Sequence, residues 1–245
     1  MENLHLQRDE APDLHSSSSD YAGRFSGTVG DWFLAVQEQI VCSLLGNGLG
    51  RTLLDVGGGH GQIAPAAVKS GYSVTVLGST EVYAERLKAL IEADSCAFKV
   101  GNMLSLPFAD SEFDVVTCFR QVAHVHDWQT FVHELCRVAR DMVIIDYATQ
   151  RSVNAFAPLF FKVKKGIEGN TRSFSVLRDS DLLAVFEQSG FTVAERVAQY
   201  FIPMSVHRVL KSPRLSATLE NICSRLKLVQ LFGSPVILKM VRQRI

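Results

Sequence analysis

One stretch of this chain, LLDVGGGHGQIA from Leu53 to Ala64, constrains its fold more than any other. The apolar run RTLLDVG suits a parallel strand covered on both faces, and QIAPAAVKS, closed by Gly71, suits a helix. Gly57, Gly58, Gly59 and Gly61 separate the two. A strand that ends in such a turn and runs into a helix N-terminus presents backbone amides and lets a ligand approach the main chain.

The same alternation continues along the chain. YSVTVLG reads as a strand, STEVYAERLKALIEA as a helix, CAFKVGNM and FDVVTCFR as strands, DWQTFVHELCRVAR as a helix and DMVIIDYA as the next strand. Strands repeatedly separated by helices make a parallel sheet covered on both faces. Ahead of this unit, residues 31–45 place Phe33, Val36, Ile40 and Leu44 at helical spacing, with Asp31 as the expected cap. Behind it come a helix, DSDLLAVFEQSG, and an alternating strand, FTVAERVAQYFI. A basic helical segment, SPRLSATLENICSRLKLVQLF, and a last strand, PVILKMVR, close the chain, and the two late strands are expected to pair antiparallel.

Composition narrows the setting. With 245 residues, 47% of them hydrophobic and 20% charged, the chain can fill one sizeable core, which excludes the disordered class. Lysine plus arginine equals aspartate plus glutamate at 25 each, so no global field attracts nucleic acid or an anionic membrane. From Tyr200 onward, however, eight basic residues face a single acid, Glu220, either as a solvated helix face or as an anion or membrane contact. Five widely spaced cysteines in apolar company read as buried thiols of a reducing compartment. The first twenty residues hold acids and serines with no apolar signal region, and no run of about 18 uncharged apolar residues follows. The expectation is a cytoplasmic protein with no transmembrane segment and a loose tail over 1–20. A single domain is expected over 21–245, with 21–48 as an N-terminal cap and 150–176 as a lid insertion.

Two kinds of ligand suit the glycine turn. The dinucleotide pattern Gly-x-Gly-x-x-Gly fails, because Gln62 stands where the third glycine packs the helix. The other is a ligand whose amino-acid end lies against the loop, with Asp55 engaging an ammonium or ordering the loop through backbone amides. This arrangement resembles motif I of the class I S-adenosylmethionine-dependent methyltransferases. LPFADSEFDVV (Leu106 to Val116) is similar to that family's approach to its fourth strand, and LCRVAR (Leu135 to Arg140) to the helix end before its fifth. The order and spacing of these segments match from about Tyr21 to Val197.

The resemblance implies a Rossmann-like methyltransferase fold of class α/β. Its sheet would have seven mostly parallel strands, with helices on both faces and an antiparallel C-terminal strand pair. It implies S-adenosyl-L-methionine as cofactor and S-adenosyl-L-homocysteine as product. Asp55, Gly57, Gly59 and Gly61 would surround the methionine end. Asn102 takes the place of the family's usual aspartate near the adenine, where an amide can both donate and accept. Met103 would pack on the ring, and Phe119 would line the cleft, although both also suit plain core filling. His60 lies inside the loop. Tyr21 and Arg24 would meet the cofactor carboxylate or the acceptor, shielded by Phe25.

One position departs from this pattern. An acid about 20 residues beyond the glycine loop usually binds the ribose hydroxyls, and here that position is Gly78. Ser79, Thr80 and Glu81 are the local replacements, and each serves equally well as a helix cap.

The methyl acceptor is less constrained. FRQVAHVHDW, after the fourth strand, offers His124 and His126 as general bases toward a hydroxyl or phenol. Asp127 suits the cap of the next helix, and His133, on that helix, does not complete a recognised metal spacing. In the lid, Phe156, Leu159, Phe160 and Val163 give an apolar inner face, with Lys162, Lys164 and Lys165 at its rim. The expected acceptor is a small, partly apolar molecule methylated at oxygen or carbon, by analogy with small-molecule and quinone-type enzymes. Nucleic acid is not expected, since the chain lacks an Asp-Pro-Pro-Tyr type motif and aromatics in a basic stripe. A homodimer is left open. The alternative is a catalytically weak or inactive protein of this fold that serves as a binding or partner subunit.

Overall fold

The computed structural model describes residues 11–13, 25–59, 61–152 and 175–243. Its strands are β1 (Thr52–Val56), β2 (Ser73–Gly78), β3 (Cys96–Val100), β4 (Phe113–Cys118), β5 (Ala139–Tyr147), β6 (Phe191–Ala198) and β7 (Val236–Arg242). They form one sheet in the order β3-β2-β1-β4-β5-β7-β6. The pairs from β3 through to β5 are parallel, while β7 lies antiparallel between β5 and β6. This is the Rossmann-like α/β sheet that the strand and helix alternation predicts, with its antiparallel C-terminal pair.

Side-chain alternation explains the burial on both faces. Leu53, Val115, Met142 and Ile144 point into one core with Val41 and Leu44 of α1 (Gly27–Leu45) and Ile63, Ala64 and Ala67 of α2 (Ile63–Lys69). Leu54, Val116, Val143 and Ile145 point into the other. There they meet Phe131, Val132 and Leu135 of α4 (Trp128–Val138) and Leu182 and Phe186 of α5 (Asp179–Gln188). Each such side chain, fully removed from water, contributes roughly 1.5–3 kcal/mol.

Several element boundaries differ from those expected. Helix α1 begins at Gly27 after Ser26, so Asp31 lies a turn inside it and is no cap. STEVYAERLKALIEA does not form one helix: a 3-10 segment, Glu81–Leu87, precedes the short α3 (Lys88–Glu92). Its tighter winding accompanies the packing of Tyr83 on the glycine turn. The basic segment is also broken, into α7 (Pro213–Arg225) and α8 (Leu228–Phe232), by Lys227 in the left-handed region at φ +60°. A further helix, α6 (Met204–Leu210), precedes them, and its His207 and the nearby Tyr200 pack against Trp32 and Phe33 of α1. Among the described residues no helix is long and apolar enough to cross a membrane. Of the first twenty residues only 11–13 are described, and Asp13 among them is fully buried.

Candidate cofactor site

The chain leaves β1 toward β2 on one side, and after β3 it returns as β4 on the other. Such a reversal opens a crevice at the carboxyl ends of the two strands, where open α/β sheets take their ligands. The glycine turn stands at this edge. Gly57 adopts φ +74° and Gly61 φ +65°, conformations that strain any residue with a Cβ. The Gly57 amide donates to Leu77 O at 2.8 Å, tying the turn to β2, and the Gly61 amide donates to Gly58 O at 2.9 Å.

The turn is closely packed from three sides. A Cβ on Gly57 would lie 2.6 Å from the Gln121 side chain, one on Gly58 2.1 Å from Asp55 Oδ2, and one on Gly59 2.7 Å from Tyr83 Cβ. Asp55 is therefore the floor beneath the turn. Its Oδ1 accepts from Thr117 Oγ1 at 2.9 Å, across the β1–β4 register pair. Its Oδ2 is buried and has no hydrogen-bond partner among the described residues. Burial pushes the Asp55 carboxyl up to about 7, against the lowering influences of Thr117 and Arg120.

The exit loop of β4 forms the opposite wall. Arg120 sits at φ +62°, donates its amide to Asp146 Oδ1, and donates a guanidinium N–H to Gln62 Oε1 at 2.7 Å. Asp146 also accepts from Gln37 Nε2 at 3.3 Å, and burial raises its carboxyl to about 6. Gln121, fully buried, donates to the Gly57 carbonyl at 3.1 Å. Asp55, Gly57, Gly58, Gln62, Phe119 and Arg120 line a small pocket at this mouth. The sequence alone does not single out Gln62, Arg120 or Gln121 as site residues. The signal available for them is position, since the residues just past β4 face the glycine turn across the strand-order reversal.

The remaining candidates are distributed unevenly. Phe119 is buried at the pocket, whereas Met103 is fully buried in the core on the α4 side of the sheet. Asn102 is exposed beyond β3, and its Oδ1 accepts from the Leu104 amide at 2.8 Å in a local turn. Thr80 caps the 3-10 segment, its Oγ1 accepting from the Val82 amide at 3.5 Å. Ser79 is bonded through both its amide and its hydroxyl to the Asp13 carboxylate. His124 ends a 3-10 turn, Val122–His124, and is half-buried, while His126 is exposed. Asp127 caps α4, accepting from the Thr130 amide at 3.2 Å, and hydrogen bonds from the Thr130 hydroxyl first and its amide second hold the carboxyl below its ordinary value. His133 Nδ1 lies 2.8 Å from Ser189 Oγ. Tyr21, Arg24, His60 and residues 153–174 of the expected lid lie outside the described residues.

A mostly parallel sheet, a glycine turn against a helix start, and a buried carboxyl beneath that turn define a protein of the Rossmann-like class with a candidate ligand cleft at the strand-order reversal. Residues 54–144, from β1 into β5, match the family model described as a methyltransferase domain. Over this span the chain resembles the class I S-adenosylmethionine-dependent methyltransferases. It is 28% identical over 170 residues to the 24-methylenesterol C-methyltransferase 2 of Oryza sativa subsp. japonica, covering 66% of this chain and 47% of that one. To a ubiquinone/menaquinone biosynthesis C-methyltransferase of Roseobacter denitrificans it is 38% identical over 97 residues, 37% of this chain and 39% of that one. The chain thus spans about half the length, or less, of these curated relatives. Among solved structures, magnesium protoporphyrin IX methyltransferase from Synechocystis PCC 6803 with bound S-adenosylhomocysteine superposes with a TM-score of 0.65 at 14% identity. That likeness covers 98% of this chain and 99% of the other and concerns the fold.

Proposed function

We propose that this protein binds S-adenosyl-L-methionine and transfers its methyl group to oxygen or carbon of a small, partly apolar molecule. The observation that carries the reading is the glycine turn, whose main chain leaves no room for a Cβ at 57, 58 or 59 and rests on the orphaned Asp55 Oδ2. A turn built this way fits a ligand with an amino-acid end, because close main-chain approach and a buried acceptor are both on offer. The names of the curated relatives, methyltransferases acting at carbon among them, support the reaction class.

When bound, the cofactor would supply an electrophilic methyl group on its sulfonium. The protein's own residues have less to do than in covalent catalysis: they hold donor and acceptor in line and exclude water. We assign Asp55, Gly57, Gly59 and Gly61 to the methionine end, with Phe119 on the cleft wall. Toward a hydroxyl acceptor, His124 is the base we assign, since it follows β4 at the sheet's carboxyl edge and is half-buried. His126, exposed beside the α4 cap, is the weaker candidate. The five cysteines are all free thiols, in keeping with a reducing, cytoplasmic setting.

Calorimetric titration with S-adenosylmethionine and S-adenosylhomocysteine tests the cofactor assignment. Micromolar binding that Gly57→Arg abolishes is the expected result, followed by transfer of a labelled methyl group to a panel of quinols, phenols and sterols. Absence of binding to the unsubstituted protein would overturn the assignment and favour a partner-subunit role.

A further inference from the structure

Gly78 ends β2 without the carboxylate that a ribose needs, yet a carboxylate is present there. Asp13, 66 residues before Ser79 in the chain, is fully buried against the end of β2. Its Oδ2 accepts from the Ser79 amide at 2.7 Å, and its Oδ1 accepts from the Ser79 hydroxyl. The same Oδ2 lies 3.6 Å from where a Cβ on Gly78 would stand. Phe98, from the neighbouring β3, puts its Cζ 2.8 Å from that point. A side chain at 78 would therefore collide with Phe98, and the group that occupies its place comes from the N-terminal segment.

The surroundings place this carboxylate beside the glycine turn. Gly57 is tied to Leu77, the residue before Gly78, and Tyr83 packs on Gly59. Tyr83 also senses Asp13: burial first, and then the Asp13 charge, raises its phenol. A carboxylate accepts at about four lone-pair sites and suits a pair of vicinal hydroxyls. Ser79 meets part of that capacity, its amide and its hydroxyl both donating to the carboxylate.

We propose that Asp13 is the ribose-binding acid of this protein, supplied by the N-terminal segment in place of a residue at position 78. This rests on the cofactor reading above. Ser79 is then a positioning residue, holding the Asp13 carboxylate through two hydrogen bonds. Cofactor affinity depends in consequence on the docking of residues 11–13.

The test compares S-adenosylhomocysteine with its 2′,3′-dideoxy analogue by calorimetry, on the full chain and on Asp13→Ala. The expected result is a loss of about 10- to 100-fold in affinity for S-adenosylhomocysteine, the range for hydrogen bonds to a charged acceptor. The same substitution should leave binding of the dideoxy analogue unchanged. Equal weakening of both ligands would overturn the proposal and make Asp13 a purely structural anchor. Tighter binding by Asp13→Ala would overturn it too, showing that the segment competes for the ribose place. Should Asp13→Ala lose its folded circular dichroism spectrum, Asp13→Asn is read in the same way. A further arm moves the acid home: Gly78→Asp with Phe98→Ala, in the Asp13→Ala background, is expected to recover at least 5-fold of the lost affinity. If the unsubstituted protein binds neither ligand, the cofactor reading itself has failed, an outcome distinct from all of these.

Discussion

The Gln121 side-chain amide donates to the carbonyl oxygen of Gly57 at 3.1 Å, joining the exit of β4 to the glycine turn at the end of β1 across 64 residues. Since Gly57 also carries φ +74°, the turn is held by geometry and by contact together. Gly57→Ala would force a Cβ to within 2.6 Å of Gln121 and into a left-handed conformation. The expected cost is about 1–3 kcal/mol of stability, with at least a 10-fold loss of S-adenosylhomocysteine affinity. Pairing it with Gln121→Ala should recover part of the stability but not the strain. Full additivity of the two substitutions in urea denaturation would contradict the clamp.

The buried carboxyls make stability depend on pH in an uncommon direction. Burial raises Asp55 to about 7 and Asp146 to about 6, while an unfolded aspartate titrates near 3.9. Between about pH 4 and 7 the folded protein therefore holds more protons than the unfolded chain. The contribution of these groups is most favourable below pH 4 and declines as pH rises through that window. For the cofactor-free protein, Asp55→Asn should make the fall in denaturation midpoint between pH 5 and 7.5 shallower. An unchanged slope would show that Asp55 does not titrate there.

Arg137 organises the approach to β4. Its guanidinium donates to Leu106 O at 3.0 Å, Phe108 O at 2.9 Å, both Glu134 oxygens and Asp110 Oδ1. A lysine cannot reproduce that fork. Arg137→Lys is expected to lose about 1–2 kcal/mol, whereas Asp110→Ala, which removes only the most exposed partner, should stay within roughly 0.5 kcal/mol. Equal effects in chemical denaturation would argue against the carbonyl contacts as the source.

Glu220 is a buried hub of the C-terminal helices. It accepts from the Phe201 and Ile202 amides, each at 2.9 Å, and lies 2.9 Å from His207 Nε2. Glu220→Ala leaves two half-buried amides and a buried imidazole without that acceptor, for an expected loss of about 2–4 kcal/mol. Glu220→Gln, which keeps one acceptor oxygen, should lose less. A loss under about 1 kcal/mol for the alanine variant would mean that water replaces the carboxylate.

The sheet is legible in the sequence because its signals are local. Leu53 and Leu54 are adjacent, apolar and both fully buried, which only a strand covered on two faces explains. The glycine turn is equally plain. The single helix expected over STEVYAERLKALIEA is not what forms, because the pattern cannot convey that Tyr83 must lie over Gly59. Nor does periodicity single out Gln121 or Asp13, whose partners are 64 and 66 residues away. For Asp13 a signal does exist in negative form. Gly78 leaves a chemical requirement unmet, so the acid has to be sought elsewhere in the chain.

The aromatic contact between the two ends of the chain has a consequence for its synthesis. Trp32 and Phe33 of α1 pack tilted and edge-on against Tyr200 and His207, and the Tyr200 hydroxyl donates to Phe33 O at 3.2 Å across 167 residues. A ribosome adding roughly 5–20 residues per second releases α1 on the order of ten to thirty seconds before those partners emerge. During that interval the aromatic face of the first helix is open to chaperones. A nascent chain stalled before Tyr200 would hold most of the parallel sheet and still present that face.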